Sequence, residues 1–212
     1  MSAGEESKNE HRTPSAVNTP PLEDFPIFLP NGTEVTMNDI AEANDERNFA
    51  RHEASHAVAA WIVGVPIIRL ELNDIERSTI NAGETETGTG VLLSELQAKP
   101  LDELRVYGRH QAFISLAGPH GSDESTSQNP LCVERTKDHL TQAKNKLTNI
   151  GRMSEEEAEG EALRLLDVVK WITALPRFQR AVTQLSAQLI QHRKLSGEQA
   201  VAVISEAWRD TI

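Results

Sequence analysis

The chain has 212 residues, a formal net charge of −11 and 38% hydrophobic residues, which is enough for one domain with a buried core. The negative net charge argues against a nucleic-acid-binding protein, because such a protein needs a basic face that displaces counterions. The single cysteine, Cys132, excludes a disulfide framework within the chain and a cysteine-rich zinc site. No apolar run approaches the roughly 20 residues that span a bilayer, and the acidic N-terminus is not typical of a secretory signal, so we expect a cytoplasmic protein without a membrane span.

The first predicted element is an acidic arm at residues 1–35. Residues 1–48 hold ten acidic and three basic side chains, which accounts for −7 of the net charge of −11. The arm contains five prolines and few large apolar residues, so it cannot bury enough surface to offset the entropy lost on ordering. We predict that the arm is mostly disordered, although its apolar segment 25–29 could dock on the body of the protein.

A helix followed by a small β element comes next. Apolar residues recur at helical spacing from residue 37 to residue 61, with Thr36 or Asn38 as candidate caps. Beyond this helix, the pattern predicts a strand at 67–72, a long polar loop at 73–90 and a second strand at 91–93.

The rest of the chain predicts five further helices. They cover about residues 101–116, 133–150, 154–174, 177–192 and 197–208. Ser154 and Ser196 each precede a Glu or Gln by three residues, which is the spacing of a capping box, and the Gly-Pro pair at 118–119 is a stop signal for the first of these helices. The predicted fold is therefore mainly α, with a small β element after the first helix, in one domain over residues 36–212.

The motif HEASH at residues 52–56 is the feature that carries chemistry. Histidines at i and i+4 lie on one helical face about 6 Å apart, so His52 and His56 could bind one Zn²⁺. Glu53 would stand beside the metal, where a general base can take a proton from a zinc-bound water. A motif with three fixed letters also arises by chance on surface helices, but the small residues between the histidines and the apolar back of this helix favour a zinc site.

The segment RHEASHAVAAW at 51–61 resembles the zinc helix of the FtsH-type metallopeptidase domain, whose motif reads HEAGHA, with Ser55 in place of the glycine. Other segments resemble that domain in the same order, namely the strand at 67–72, GTGV at 88–91, ISLAG at 114–118 and the closing helices at 181–204. The resemblance spans about residues 37–208. It implies a mainly helical zinc peptidase with a zinc-site part at 36–150 and C-terminal helices at 151–212.

The resemblance also implies an aspartate from a later helix as the third zinc ligand. Asp138, in ERTKDHL at 134–140, matches that position, although the family usually has leucine where His139 stands here. A carboxylate at this position would complete a tetrahedral site with two histidines and one water. The other candidates for the third ligand are Glu134, His139, Asp123 and His120.

A second departure from the family follows residue 118. The family continues with RAAEE, whereas this chain reads PHGSDE at 119–124. Asp123 or Glu124 could supply a carboxylate that orients a zinc-binding histidine. The alternative interpretation is that both are ordinary loop charges.

The predicted function is that of a zinc-dependent endopeptidase, in which Glu53 activates a zinc-bound water. The family's membrane proteases carry an ATPase and a membrane helix on the same chain, and this sequence has neither a phosphate-binding loop nor an apolar span. We therefore expect peptide or unfolded-protein substrates, with a separate ATPase or unfoldase as a possible partner, and the oligomeric state stays open. The strand at 67–72 could bind an extended substrate by strand addition, under cover of the loop at 73–90.

Two alternative functions remain open at this stage. One is a peptidase-like regulatory or binding protein with structural zinc or no zinc, which a fourth protein ligand would favour because structural sites usually use four. The other is a zinc hydrolase that acts on a non-peptide amide. Cleavage of an unfolded protein separates the peptidase from both alternatives.

Overall fold

The computed structural model describes residues 27–29, 31–36, 39–40, 45–73, 83–88 and 98–209. Within these ranges the protein is mainly helical with a small antiparallel sheet, which confirms the predicted fold class. The described α-helices are α1 (Glu46–Ile62), α2 (Leu101–Gly121), α3 (Pro130–Asn149), α4 (Glu155–Thr173), α5 (Pro176–His192) and α6 (Gly197–Arg209). No helix in the described part of the chain is both long enough and apolar enough to cross a membrane.

The strands of the described ranges form two antiparallel sheets. They are β1 (Ile27–Phe28), β2 (Glu34–Val35), β3 (Ile67–Leu72), β4 (Gly83–Thr87) and β5 (Lys194–Ser196). Strand β1 pairs with β2, whereas β3 lies between β4 and β5 in a three-stranded sheet. In that sheet, Leu70 of β3 stands opposite Thr85 of β4 and Leu195 of β5. Leu70 is fully buried, so this register directs one face of the sheet toward the core.

The three-stranded sheet corrects two sequence predictions. Residues 67–72 do not offer a free edge for strand addition, because β3 is already hydrogen-bonded to a strand on each side. Strand β4 lies within residues 73–90, which were predicted to be a polar loop. There, Thr85 and Thr87 alternate with glutamates in the period-two pattern of a strand. The predicted strand at 91–93 lies outside the described residues.

Helix α1 begins later than the sequence predicted. The Asp45 carboxylate accepts a hydrogen bond from the Arg47 backbone N–H at 2.9 Å and caps the first turn, which starts at Glu46. The predicted cap, Thr36, does cap a helical turn, but a separate one at residues 39–40. Its side chain and that of Asp39 each accept a hydrogen bond from the backbone N–H of the other residue, at 3.1 and 2.8 Å. The HEASH motif therefore lies in the middle of a separately capped helix.

Helix α1 is the central helix of the core. Its fully buried alanines are Ala50, Ala54, Ala57, Ala59 and Ala60. Because these side chains are short, α2 and α5 pack closely against the helix, and β3 and β4 cover another part of it. The approach is close enough that a Cβ at Gly121 of α2 would lie 2.4 Å from Ser55 Oγ. Ser55 is thus accommodated by a glycine on the neighbouring helix.

Helix α2 continues past its predicted stop signal and ends at Gly121. Pro119 lies inside the helix and is fully buried. Proline has no N–H to donate to the carbonyl four residues earlier, which is that of Ser115. That carbonyl faces the imidazole of His139 instead. Burial in the core has therefore outweighed a local signal that usually ends a helix.

The C-terminal helices begin as predicted. Ser154 and Glu157 form a complete capping box, in which each side chain accepts a hydrogen bond from the backbone N–H of the other, at 3.2 and 2.9 Å. Ser196 and Gln199 make the same exchange at the start of α6. The buried residues of these helices belong to the same hydrophobic cluster as those of α1 and α2, so the two predicted parts of the domain share one core.

Part of the predicted arm has defined structure. Ile27 pairs with Val35 and Phe28 with Glu34 in the β1–β2 sheet. Val35 is only 2% exposed, so this end of the arm packs against other residues. The rest of the arm, residues 1–26 and residue 30, lies outside the described residues.

Candidate metal centre

Helix α1 brings His52 and His56 together, because residues four apart lie on the same face of a helix. Their Nε2 atoms are 3.0 Å apart, and the two rings stand nearly perpendicular, at 78°. His52 is 5% exposed. The two imidazoles of the motif therefore converge on one point inside the protein.

The third side chain at this point is His139 of α3. Its ring centroid lies 4.7 Å from that of His52 and 5.2 Å from that of His56. One candidate ligand atom from each of the three histidines lies within 4.8 Å of the others, and these three side chains lie close enough to bind a metal ion.

The structure does not bring Asp138 into this cluster. Asp138 is exposed, and its neighbour His139, one of the alternatives raised from sequence, occupies the third position. Successive residues on a helix point about 100° apart, so α3 can direct only one of the two side chains at α1. The other three candidates, Glu134, Asp123 and His120, are also outside the cluster.

Hydrogen-bond partners determine which nitrogens of α1 are free. His56 Nδ1 lies 2.7 Å from the carbonyl oxygen of Ile114, which can only accept, so Nδ1 must donate. His52 Nδ1 lies 3.2 Å from Glu124 Oε2 and donates to that carboxylate. In the neutral His56 ring, Nε2 is then an acceptor, and His52 Nε2 faces it at 3.0 Å. A neutral His52 would present a second acceptor there, and a metal ion is a partner that two facing acceptors can share.

The geometry fits a divalent metal. Two nitrogens each bound to zinc at about 2.0–2.1 Å in a tetrahedral site lie about 3.3 Å apart, which is close to the observed separation of the Nε2 atoms. The backbone leaves room on the same side, since a Cβ at Gly118 would lie 2.5 Å from His56 Nε2 and 2.6 Å from His52 Nε2. On the third ring, His139 Nδ1 is buried without a hydrogen-bond partner.

The protein keeps two of these rings neutral, which is the form that binds metals. Burial is the largest cause: it lowers the pKa of His56 to about 3, and the proximity of His52 lowers it further, against the Ile114 carbonyl. Burial likewise lowers the pKa of His139 to about 2, with contributions from His56 and His52, while the Ser115 carbonyl acts in the opposite direction.

Glu124 links His52 to α3. It lies in a short 3₁₀ helix, Asp123–Thr126, is 2% exposed, and pairs through Oε1 with Arg135 Nη1 at 2.8 Å. Burial pushes the pKa of Glu124 upward, but its hydrogen bonds to His52 and Arg135 outweigh this effect and lower the pKa overall. Of the two interpretations raised from sequence, the carboxylate that orients a histidine therefore fits Glu124, whereas Asp123 is exposed.

Glu53 is buried beside the histidines, with 7% exposure. Burial raises the pKa of its carboxyl above the ordinary value, and the Glu124 and Glu84 carboxylates add to the rise. His52 and a hydrogen bond from Thr85 act in the opposite direction without cancelling it. Thr85 Oγ1 lies 2.6 Å from Glu53 Oε2. A carboxylate with a raised pKa is suited to accept a proton near neutral pH.

Comparison with known proteins adds no assignment. A scan against protein-family models finds no matching family, and a search of curated proteins finds no match either. The resemblance to the FtsH-type domain therefore stays a prediction from the motif and the order of the elements.

Sequence reasoning missed one residue of the site, Thr85, because it lay in a segment interpreted as loop. The alternation of Thr and Glu in GETET at 83–87 was an available signal for a strand. Glu124 and His139 were named only as alternatives, since no local pattern ranks them above their neighbours.

Proposed function

We propose that this protein is a zinc-dependent endopeptidase. The observation that carries the proposal is the convergence of two Nε2 atoms at 3.0 Å, next to a third imidazole and a buried glutamate with a raised pKa. Nitrogen ligands suit several transition metals. The HExxH spacing on one helix favours zinc.

In this proposal His52, His56 and His139 hold the metal. A metal ion held there would supply Lewis-acid chemistry for a water and for the scissile carbonyl. Glu53 would accept a proton from the attacking water and deliver it to the leaving amine as the C–N bond breaks. Ile114 and Glu124 fix the tautomers of the two α1 histidines, so that both Nε2 atoms stay available as ligands.

The number of ligands favours catalysis over a structural role. The cluster found among the described residues contains three metal-binding side chains. Catalytic zinc sites commonly have three protein ligands and one open position, whereas structural sites are usually closed by four. This comparison supports a hydrolase over the peptidase-like binding protein.

The substrate we propose is an extended peptide or an unfolded protein, and the site of action is the cytoplasm. The motif and the FtsH-type resemblance support the peptide bond as the target. The same chemistry could hydrolyse a non-peptide amide, so the assay has to use a polypeptide.

The test compares the native chain with Glu53→Gln. The substitution removes the base and leaves all three imidazoles, so metal analysis should find about one zinc per chain in both proteins. We expect the native chain to cleave unfolded casein, and Glu53→Gln to be slower by about 100-fold or more. Zinc in both proteins without cleavage by either would reject the peptidase and leave the two alternatives, a binding protein or a hydrolase of a non-peptide amide. Absence of zinc after reconstitution would reject the metal centre itself.

A further inference from the structure

Strand β4 reaches the glutamate of the motif through one side chain. Thr85 Oγ1 lies 2.6 Å from Glu53 Oε2 and 2.9 Å from the backbone oxygen of Glu53. We propose that Thr85 is a positioning residue, which holds the Glu53 carboxylate in its working orientation during hydrolysis. This inference rests on the proposed peptidase function, and it assigns a role to a residue outside the HExxH motif.

Burial explains why Glu53 needs this partner. A carboxylate withdrawn from water is costly unless it is hydrogen-bonded, and Glu53 is 7% exposed. The length of 2.6 Å is typical of a hydroxyl that donates to a charged oxygen. Loss of the hydroxyl would leave the carboxylate both less restrained and less solvated.

A hydroxyl is suited to a group that gains and loses a proton. It has one donor and two acceptor sites, and its hydrogen rotates to the available acceptor. When Glu53 is ionised, Thr85 can donate to Oε2. When Glu53 carries the proton, it can donate to Thr85 Oγ1, whose own hydrogen can turn to the Glu53 carbonyl at 2.9 Å. The pair therefore stays hydrogen-bonded in both forms without moving a heavy atom.

The strand pairing holds Thr85 in place. Thr85 stands opposite the fully buried Leu70 on β3, and the backbone N–H of Gly88, just beyond β4, donates to the Pro66 carbonyl at 2.8 Å. Helix α1 packs against both strands. The position of the hydroxyl is thus set by paired backbone, which is the kind of support that an orienting group requires.

The experiment measures casein cleavage and zinc content for Thr85→Val, Thr85→Ser and Thr85→Ala, with Thr87→Val as the matched control two residues along the same strand. We expect Thr85→Val to lower kcat about tenfold or more, with KM within about twofold and zinc retained. Thr85→Ser should recover most of kcat because it restores the hydroxyl, and Thr87→Val should behave as the native chain. If Thr85→Val does not fold, the comparison of Ser with Ala at this position carries the same test.

A second arm tests whether Thr85 acts through Glu53. In a Glu53→Gln background, Thr85→Val should cause no further loss, because groups that act as one unit are not additive. Three outcomes would each overturn the inference while the proposed peptidase stands. They are a native kcat in Thr85→Val, a loss of kcat in Thr85→Ser equal to that in Thr85→Val, and a full additional loss of kcat in the double variant. A native chain that binds zinc but cuts no casein would instead overturn the proposed function, and this inference with it.

Discussion

The ring orientations of the two histidines on α1 are fixed by hydrogen-bond acceptors on other elements. The Ile114 carbonyl and the Glu124 carboxylate each take the Nδ1–H of one ring, and this leaves both Nε2 atoms facing one another. On α3, the rotation of the helix about its axis decides which of two adjacent residues lies beside these rings. His139 reaches the pair, and Asp138 points to solvent.

The first prediction contrasts these two neighbours. His139→Gln should lower zinc affinity by about 100-fold or more, because it removes a ligand and not merely a residue that supports one. Asp138→Asn should leave affinity within about threefold, since its side chain is exposed. Competition with a chromophoric chelator measures both. The opposite ranking would place the aspartate in the site, as the family resemblance implies.

At the scale of elements, the site is assembled from the helix that carries the motif and four other segments. The 3₁₀ helix supplies Glu124, α3 supplies His139 together with Arg135, and β4 supplies Thr85. Helix α2 contributes backbone alone, through the Ile114 carbonyl and the open side of Gly118. Each element has a defined task, so each can be tested separately.

The second prediction concerns the link between the 3₁₀ helix and α1. Glu124→Gln keeps the shape but removes the negative charge that holds His52 Nδ1 and pairs with Arg135. We expect zinc affinity to fall about 10- to 100-fold, as is typical when the partner of a metal-binding histidine is lost. Asp123→Asn, at the exposed neighbouring position, is the control and should be silent. Equal behaviour of the two variants in zinc titration would show that Glu124 does not orient the ring.

At the scale of the whole molecule, the buried neutral imidazoles make the free energy of unfolding depend on pH. In the folded, metal-free protein the pKa of His56 is about 3 and that of His139 about 2, whereas an unfolded histidine titrates near 6.5. Between these values the unfolded chain binds protons that the folded chain does not bind. Stability is therefore lost as the pH falls through the unfolded pKa. Glu53 acts in the opposite direction, because its raised pKa favours the folded state on acidification.

The third prediction uses a Glu53 variant, because the Glu53 carboxyl opposes the effect of the histidines on stability. In metal-free Glu53→Gln, the free energy of unfolding should fall between pH 7.5 and pH 5.5 by about 1 kcal/mol for each of the two histidines. His120, whose pKa burial lowers to about 4, adds to the fall. Adding His139→Gln should reduce this fall in the free energy of unfolding by about 1 kcal/mol, the contribution of one histidine. Urea unfolding at each pH measures it. An unchanged slope would show that His139 is not held neutral.

Local features of this protein were determined by the sequence. The HEASH spacing fixes His52 and His56 on one helical face, and the Ser154 and Ser196 capping boxes mark two helix starts, because each depends on residues within four positions. The spacing of apolar residues along the chain was also sufficient to predict a mainly α fold with a small sheet. These features need no knowledge of how the elements pack.

Only the tertiary structure decided the rest of the site. His139 lies 83 residues beyond His56 in the chain, and whether it or Asp138 faces α1 depends on the rotation of α3, which local sequence does not set. Packing likewise places Glu124 against His52 and Thr85 against Glu53, and neither contact follows from spacing along the chain. The same packing carries α2 through Pro119, since burial of the ring offsets the missing hydrogen bond and leaves the Ser115 carbonyl facing His139.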